Sequence, residues 1–302
     1  MPICIPAELP TRKILRSENI FVITKKRATR QDIRPLEVAI LNLMPTKLTT
    51  ETQLARLLGN TPLQVNLTLL TTETYRPKHT DQKHLIAFYQ TFAQVKQRQF
   101  DGLIVTGAPV ELLAWREVEY YQELCQILRW SERNVYSKFF ICWGAMAALH
   151  YFYGVPKVKL PRKKFGVFTH RLRKKNSMLL RGFDSKFEVP VSRWTEVRAK
   201  DLARVSDLEI LADAPEAGVY LVRSKKRRQI FAFNHAEYDP ETLEWEFARD
   251  REKEPNFPPP VNFRPKQNTW RAHANLLFSN WLNYYVYQAT PFELTKIKGG
   301  FS

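Results

Sequence analysis

Between Val38 and Cys142 the chain alternates short apolar runs with segments of helical length, and this alternation limits the possible fold more than any other feature. Val38-Ala-Ile-Leu-Asn-Leu43, Leu63 to Leu70, Gly102-Leu-Ile-Val-Thr106 and Phe139 to Cys142 read as buried strands. Thr49 to Leu58, His84 to Phe92 and Val118 to Trp130 carry apolar residues at helical spacing, each long enough to cross from one parallel strand to the next. Repeated strand–helix alternation predicts a parallel sheet covered by helices. In open sheets of that kind ligands bind outside the carboxyl ends of the strands. Lys47, Gly107 to Glu111 and Cys142 all fall there.

After Phe165 the predicted strands become shorter: Gly166 to His170, Phe187 to Val191, Leu208 to Ala212, Val219 to Val222 and Gln229 to Asn234. They suggest a second layer or an antiparallel extension. A helix is expected from about Glu241 to Lys253, with Asp239 as cap and Pro240 in its first turn. Glu254 to Pro260 reads as an extended connector, and Ala272 to Tyr285 as an apolar helix packed on the core or on a partner subunit. The expected organisation is a single domain: an extension over 1–35, an α/β core with strand-rich insertions over 36–240, and a helical segment over 241–302.

Within Ser137-Lys-Phe-Phe-Ile-Cys-Trp-Gly-Ala-Met-Ala-Ala-Leu-His150 a short strand stops at a thiol and a helix of small residues begins within two positions. That layout predicts a nucleophile elbow, in which the side chain stands clear of the sheet and the following amides face whatever it attacks. Gly144, without a Cβ, is expected to permit the tight turn. A thiol needs a base to become an effective nucleophile. His235 ends the strand Gln229-Ile-Phe-Ala-Phe-Asn234, and Glu237 lies two residues on, so one loop supplies base and orienter. His79, His84, His150, His170 and His273 sit in helical or turn contexts and read as surface or satisfied-core residues.

The 302 residues are 44% hydrophobic, enough for a sizeable core. The first ten residues carry prolines and an acid where a secretion signal needs a basic end and an apolar run, and Trp143 to Val155 is too short to cross a membrane. A cytoplasmic protein with no membrane partner is expected. Three cysteines (Cys4, Cys125, Cys142) without a close pair offer neither a disulfide framework nor a metal knuckle, so no metal is expected. The net charge of +17 concentrates in Lys157 to Lys164, Arg171 to Lys175 and Lys225 to Arg228, which flank predicted strands as turns do. None has the heptads, zinc-finger spacing or aromatic–glycine signature of a nucleic-acid module. A solvated surface is expected, part of which attracts an anionic substrate such as a coenzyme with several phosphates.

Six ordered motifs carry a resemblance: Asn42-Leu-Met-Pro-Thr-Lys47, Thr106-Gly-Ala-Pro-Val-Glu111, Ile141-Cys-Trp-Gly-Ala145, Ser192-Arg-Trp-Thr-Glu-Val197, His235-Ala-Glu-Tyr-Asp239 and His273-Ala-Asn-Leu-Leu-Phe-Ser-Asn-Trp-Leu-Asn-Tyr-Tyr285. Spanning nearly the whole chain, they resemble the homoserine O-acyltransferases of methionine biosynthesis. The resemblance implies a flavodoxin-like three-layer α/β sandwich, class I glutamine amidotransferase-like, with a mainly parallel central sheet and a smaller strand-rich extension. It implies a ping-pong reaction in which acetyl-CoA, a co-substrate and not a bound cofactor, acylates Cys142, and the hydroxyl of L-homoserine then takes the acyl group. His235 would be the base and Glu237 its partner, Lys47 and the Trp143 amide would hold the oxyanion, and Lys163, Ser192 and Arg249 would bind the amino acid. A homodimer is expected.

Within the resemblance Glu111 selects acetyl over succinyl donors. A carboxylate lining the acyl pocket repels the terminal carboxylate of a succinyl group by about 4 kcal/mol at ~4 Å and an effective dielectric near 20. Without that context Glu111 would read as a helix N-terminal carboxylate. Trp194, Asn234, Ala236 and Met146 depart from the family's usual residues. An indole beside Ser192 would shorten the acceptor pocket toward L-serine, an alternative acceptor; the homoserine O-succinyltransferase reaction is the alternative in donor. An amidotransferase-like hydrolase and a nucleic-acid-binding protein on an inactive scaffold are the readings from other classes.

Overall fold

Along the central strands, neighbouring residues face opposite sides of the sheet and are apolar on both. Val38 and Ile40, Ile104, Phe139 and Ile141, and Ile230 pack into one core, while Ala39 and Leu41, Leu103 and Val105, Phe140 and Phe231 pack into another. A strand apolar on both faces must be covered on both, which is the three-layer arrangement. The computed structural model describes residues 3–6, 8–18, 22–23, 34–75, 81–291 and 293–294.

Among these residues the strands are β1 (Ile3–Cys4), β2 (Val22–Ile23), β3 (Leu36–Leu41), β4 (Val65–Leu70), β5 (Tyr89–Gln90), β6 (Phe100–Val105), β7 (Val135–Ile141), β8 (Val158–Leu172), β9 (Lys186–Glu196), β10 (Leu208–Ala214), β11 (Gly218–Ser224) and β12 (Gln229–Ala232). They form one twelve-stranded sheet in the order β2-β1-β4-β3-β6-β7-β12-β11-β10-β8-β9, with β5 beside β4. From β2 to β12 every neighbouring pair is parallel; from β12 to β9 every pair is antiparallel. The strand-rich stretch is thus an antiparallel extension of the same sheet, and β12 is the strand where the two halves meet. At the opposite edge β1 and β2 add two parallel strands that the sequence does not announce.

The helices are α1 (Thr11–Ser17), α2 (Lys47–Gly59), α3 (Gln82–Phe88), α4 (Phe92–Val95), α5 (Tyr121–Asn134), α6 (Trp143–Tyr153), α7 (Ala199–Leu202), α8 (Pro240–Lys253) and α9 (Arg271–Asn280). Leu54 and Leu58 of α2 and Leu277 and Phe278 of α9 cover one face; Leu124 and Leu128 of α5 and Ala145 to Leu149 of α6 cover the other. Beyond α9 the chain continues as a π-helix, Trp281–Tyr287. The Trp281 indole is fully buried and donates to the Ser137 hydroxyl at 2.9 Å, which docks this segment on the core.

Two expectations need correction. The basic stretch Lys157 to Lys164 is not a turn: all but its first residue belong to β8, which is irregular between Lys159 and Lys164. The period of the stretch hides this, because charge occupies both faces. The segment read as one helix from His84 to Phe92 is α3, the two-residue strand β5 and α4 in succession, because Tyr89 pairs with Leu69 of β4 and leaves the helical path.

Candidate active site

The thiol sits where β7 ends. Cys142 has φ 49° and ψ −117°, a left-handed conformation that a residue with a Cβ rarely adopts. Bonds on both sides hold it there: its N–H donates to Ala232 O of β12 at 2.7 Å, and its carbonyl accepts from Ala145 and Met146 at 3.1 and 3.2 Å. Local strain over-determined in this way is a mark of functional sites. The strained dihedrals of the turn therefore fall on the cysteine. Gly144 permits the turn as the sequence suggested, by having no Cβ to clash: a Cβ there would lie 2.5 Å from Thr106 O and 2.9 Å from Val105 O, so α6 could not come this close to the end of β6. By helix geometry the first amides of α6, Trp143 and Gly144, have no acceptor within the helix and form the anion-binding end of its dipole.

His235 follows β12, the strand paired with β7, and so arrives beside Cys142. Its N–H donates to Pro190 O at 2.9 Å, its Nδ1 is 2.7 Å from Glu237 Oε1, and its ring stacks on Tyr238 at 4.1 Å. The remaining ring nitrogen, Nε2, is the one left to serve Cys142. Burial alone would lower the imidazole's proton affinity. The negative charge at Cys142 and Glu237 outweighs it and holds His235 well above its ordinary pKa. Gly107 leaves the approach open: a Cβ there would stand 3.2 Å from Cys142 Cβ, 3.8 Å from its Sγ and 3.7 Å from His235 Cε1.

Lys47 opens α2 at the carboxyl end of β3, on the same sheet edge. It is buried, donates to Asn42 O and lies 5.3 Å from the centroid of the Tyr89 ring. Burial lowers its pKa to about 8, with Glu51 pulling the other way. Glu51 itself accepts from Thr11 and Tyr89 and is 3.2 Å from His84 Nε2.

Strand β9 sends alternate residues to two different places. Thr195 faces the Cys142 side, donating through its amide (3.1 Å) and hydroxyl (3.0 Å) to Glu111 Oε2, with its hydroxyl 3.2 Å from Met146 Sδ. Burial raises the Glu111 pKa, opposed by the amide and hydroxyl donors from Trp194 and Thr195 and by Lys163. Glu111 lies in a turn before the short helical turn Trp115–Glu117, so the helix N-terminal reading does not hold. Ser192 and Trp194 face the other side: Ser192 donates to Glu246 Oε2, and Trp194 lies 6.3 Å from Phe257.

Lys163 and Arg249 are brought together by one acid. Lys163 Nζ is 2.6 Å from Asp250 and 3.5 Å from Glu246, its side chain almost wholly buried, and Arg249 bonds Asp250 at 2.8 and 2.9 Å with its side chain about half exposed. Glu246 also accepts from the Tyr238 hydroxyl at 3.0 Å, which ties this cluster to the ring stacked on His235.

The other histidines have structural partners. His84 meets Glu51, His150 stacks on Trp115 at 4.9 Å, and His273 meets Asp184 at 3.0 Å. His170, the last residue of a predicted strand, lies buried within β8 and not in a turn, donating from Nδ1 to Phe168 O at 2.8 Å and accepting at Nε2 from Asn234 at 2.7 Å. His79 lies outside the described residues. Among the described residues no group of three or more His, Cys, Asp or Glu could hold a metal ion, and no helix is long and apolar enough to cross a membrane.

A family model described as homoserine O-succinyltransferase matches residues 2–292. The chain belongs to that family. Relatives named homoserine O-acetyltransferase from Thermotoga petrophila and Acetivibrio thermocellus are 56% and 54% identical to it, covering 98% and 99% of this chain and 100% of each relative. Among solved structures, a glutamine amidotransferase from Thermotoga maritima matches with a TM-score of 0.58 over 83% of this chain and 98% of its own, at 10% identity. One from Methylobacillus flagellatus matches at 0.54 over 83% and 95%, also at 10% identity. This chain thus has the class I glutamine amidotransferase-like fold, as the alternation of strands and helices together with the six motifs led us to expect.

For this family member the sequence reading missed Thr195, Glu246 and Asp250, each of which holds a candidate residue in place. Thr195 was inside a quoted motif but carries no chemistry of its own. Glu246 and Asp250 lie one helical turn apart and flank Arg249 on α8, a spacing that puts both acids within reach of the same cations.

Proposed function

We propose that this protein transfers the acetyl group of acetyl-CoA to the hydroxyl of L-homoserine through a thioester at Cys142. In the first half-reaction the Cys142 thiolate attacks the thioester carbonyl. The tetrahedral oxyanion forms at the start of α6, where the Trp143 amide and the Lys47 ammonium neutralise it. As the intermediate collapses, the proton on His235 goes to the departing sulfur of coenzyme A. Acetylation removes the negative charge at Cys142 that sustains the imidazolium, leaving His235 neutral and able to act as a base. In the second half-reaction it takes the proton of the homoserine hydroxyl, the alkoxide attacks the acyl-enzyme, and Cys142 leaves as a thiolate beside the newly formed imidazolium. Glu237 keeps the proton on Nδ1 and the ring in register throughout.

The cluster on α8 supports an amino acid as acceptor. Lys163 and Arg249 against Glu246 and Asp250 are two cations and two anions, a balanced set that matches a zwitterion: its ammonium replaces a cation at the acids and its carboxylate replaces an acid at the cations. On the donor side Glu111, held by Thr195, disfavours a succinyl group and leaves acetyl unopposed. Methionine biosynthesis in the cytoplasm and a homodimeric state belong to the same reading.

The observation that carries the proposal is the strained Cys142 at the head of α6, beside a buried His235 that Glu237 holds at 2.7 Å. Acetyl-CoA alone should add one acetyl group at Cys142, seen by intact mass. Adding L-homoserine should release it as O-acetyl-L-homoserine faster than L-serine does. Turnover in Cys142→Ala, or product without acyl-enzyme, would refute it.

A further inference from the structure

We propose that Arg193 is a positioning residue for Cys142: its buried guanidinium clamps the end of β12 alongside the cysteine and supplies the fixed positive charge that favours the thiolate. The inference rests on the reading of Cys142 as the nucleophile.

Arg193 lies on β9 on the same side as Thr195 and is 1% exposed. Its guanidinium donates to Asn234 Oδ1, to Phe233 O and to Ala217 O. Two of these acceptors sit just past the residue that binds Cys142, since the Cys142 N–H donates to Ala232 O. One guanidinium therefore fixes the strand end that carries both the backbone partner of Cys142 and His235. Asn234 is in turn oriented by its bond to His170 Nε2, so its carbonyl oxygen points at Arg193. Burial lowers the His170 pKa to about 4, so this ring stays neutral and accepting across the range in which a thiol titrates.

All three acceptors are neutral carbonyl oxygens, no carboxylate forms an ion pair with Arg193 among the described residues, and its Nε is buried without a partner. A fully buried cation without a counter-ion is strongly disfavoured. Burial works against the Arg193 charge, and Cys142 is the largest of the anionic neighbours that support it, ahead of Glu196 and Glu111. Coulombic support is mutual: an anion at sulfur that stabilises the guanidinium is stabilised by it to the same extent. His235 is the other cation beside the sulfur, and Glu237 and Glu111 oppose both. Glu196 is neutralised by Lys164 at 2.8 Å, and Lys47 stands at the end of β3 with its own burial working against its charge. Unlike His235 and Lys47, a guanidinium does not titrate in the working range, so its contribution is constant with pH.

The test is the rate at which iodoacetamide alkylates Cys142 from pH 5 to pH 9, followed at that peptide by mass, in protein whose fold is checked by circular dichroism. This reads the thiolate directly and needs no turnover. In Arg193→Gln the acid limb should move up by about 1 pH unit, so that alkylation on that limb is about tenfold slower. Arg193→Lys, which keeps the charge, should shift it less. Asn234→Asp, which puts an anion on the same guanidinium at equal volume, should move the limb upward and serves where Arg193→Gln does not fold. An unmoved limb in folded Arg193→Gln, or in Asn234→Asp where that variant stands in, overturns the proposal, as does an equal shift in Arg193→Lys and Arg193→Gln. Acyl transfer by Cys142→Ala would instead overturn the functional reading, leaving the alkylation result to stand as electrostatics alone.

Discussion

Thr195 grips Glu111 with two donors at once, its amide at 3.1 Å and its hydroxyl at 3.0 Å, both on Oε2. Glu111 follows β6 while Thr195 belongs to β9, so the residue expected to choose the acyl donor is held by the strand that also carries Ser192, expected to bind the acceptor. Under the proposed function, donor and acceptor preference are built on one backbone. The amide bond is fixed by the strand; the hydroxyl bond depends on a side chain and can be removed.

Thr195→Val keeps the shape and the amide bond and deletes only the hydroxyl. A lost bond to a charged group is worth about 1.5–3 kcal/mol, so the preference for acetyl-CoA over succinyl-CoA should fall by roughly tenfold or more. The kcat/KM ratio for the two donors, measured side by side, decides it. An unchanged ratio would show that the strand amide alone sets the carboxylate.

Lys47 is expected to give the reaction an alkaline limit. Its burial-lowered pKa of about 8 means that the ammonium is complete below that value and is lost as pH rises through it, so acyl-enzyme formation should decline above about pH 8. Lys47→Met removes the cation at every pH. It should lower the rate of acyl-enzyme formation by about two to three orders of magnitude, as loss of an oxyanion donor does, and abolish the decline near pH 8. Rapid-quench mass analysis across pH checks both, and persistence of the decline in the variant would remove Lys47 from the oxyanion site.

The candidate residues were legible in the sequence because each lies at a strand end whose apolar run is unmistakable: Cys142 after Val135–Ile141, His235 after Gln229–Ala232. The antiparallel half was legible as strands forming either a second layer or an antiparallel extension, but the choice between the two was not, since pairing partners such as Phe165 and Ser192 are far apart in the chain. Lys163 was masked among neighbouring lysines and arginines, and only burial between Phe165 and the acids of α8 separates it from them. Arg193 is the sharpest case. In a chain with 47 basic residues nothing local distinguishes the one that lies fully buried beside Asn234.

Gly144→Ala tests the elbow itself. The added Cβ would meet two backbone carbonyl oxygens, Thr106 O at 2.5 Å and Val105 O at 2.9 Å, and neither can rotate away. The cost of overpacking at such a site is about 1–3 kcal/mol. Urea unfolding should show that loss, and because α6 must shift to relieve it, acetylation of Cys142 should slow by more than the loss of folded protein explains. Wild-type stability and rate together would mean that the turn is far softer than its contacts indicate.

Trp194 is expected to limit how long an acceptor fits. Ser192, two residues before it on the same face of β9, bonds Glu246, and the Trp194 indole packs 6.3 Å from Phe257 against the cluster of Phe165, Tyr238 and Trp270. Homoserine exceeds serine by one methylene, a difference that a pocket wall resolves by about 1–3 kcal/mol. Trp194→Ala removes that wall without touching the Glu246 bond, so kcat/KM for homoserine relative to serine should rise by roughly tenfold while acetylation of Cys142 by acetyl-CoA alone keeps its rate. The two half-reactions separate the outcomes: a change confined to the acceptor step marks the indole as the length gauge, whereas an unchanged acceptor ratio places Trp194 in the packing of the cluster and leaves the length of the pocket to α8.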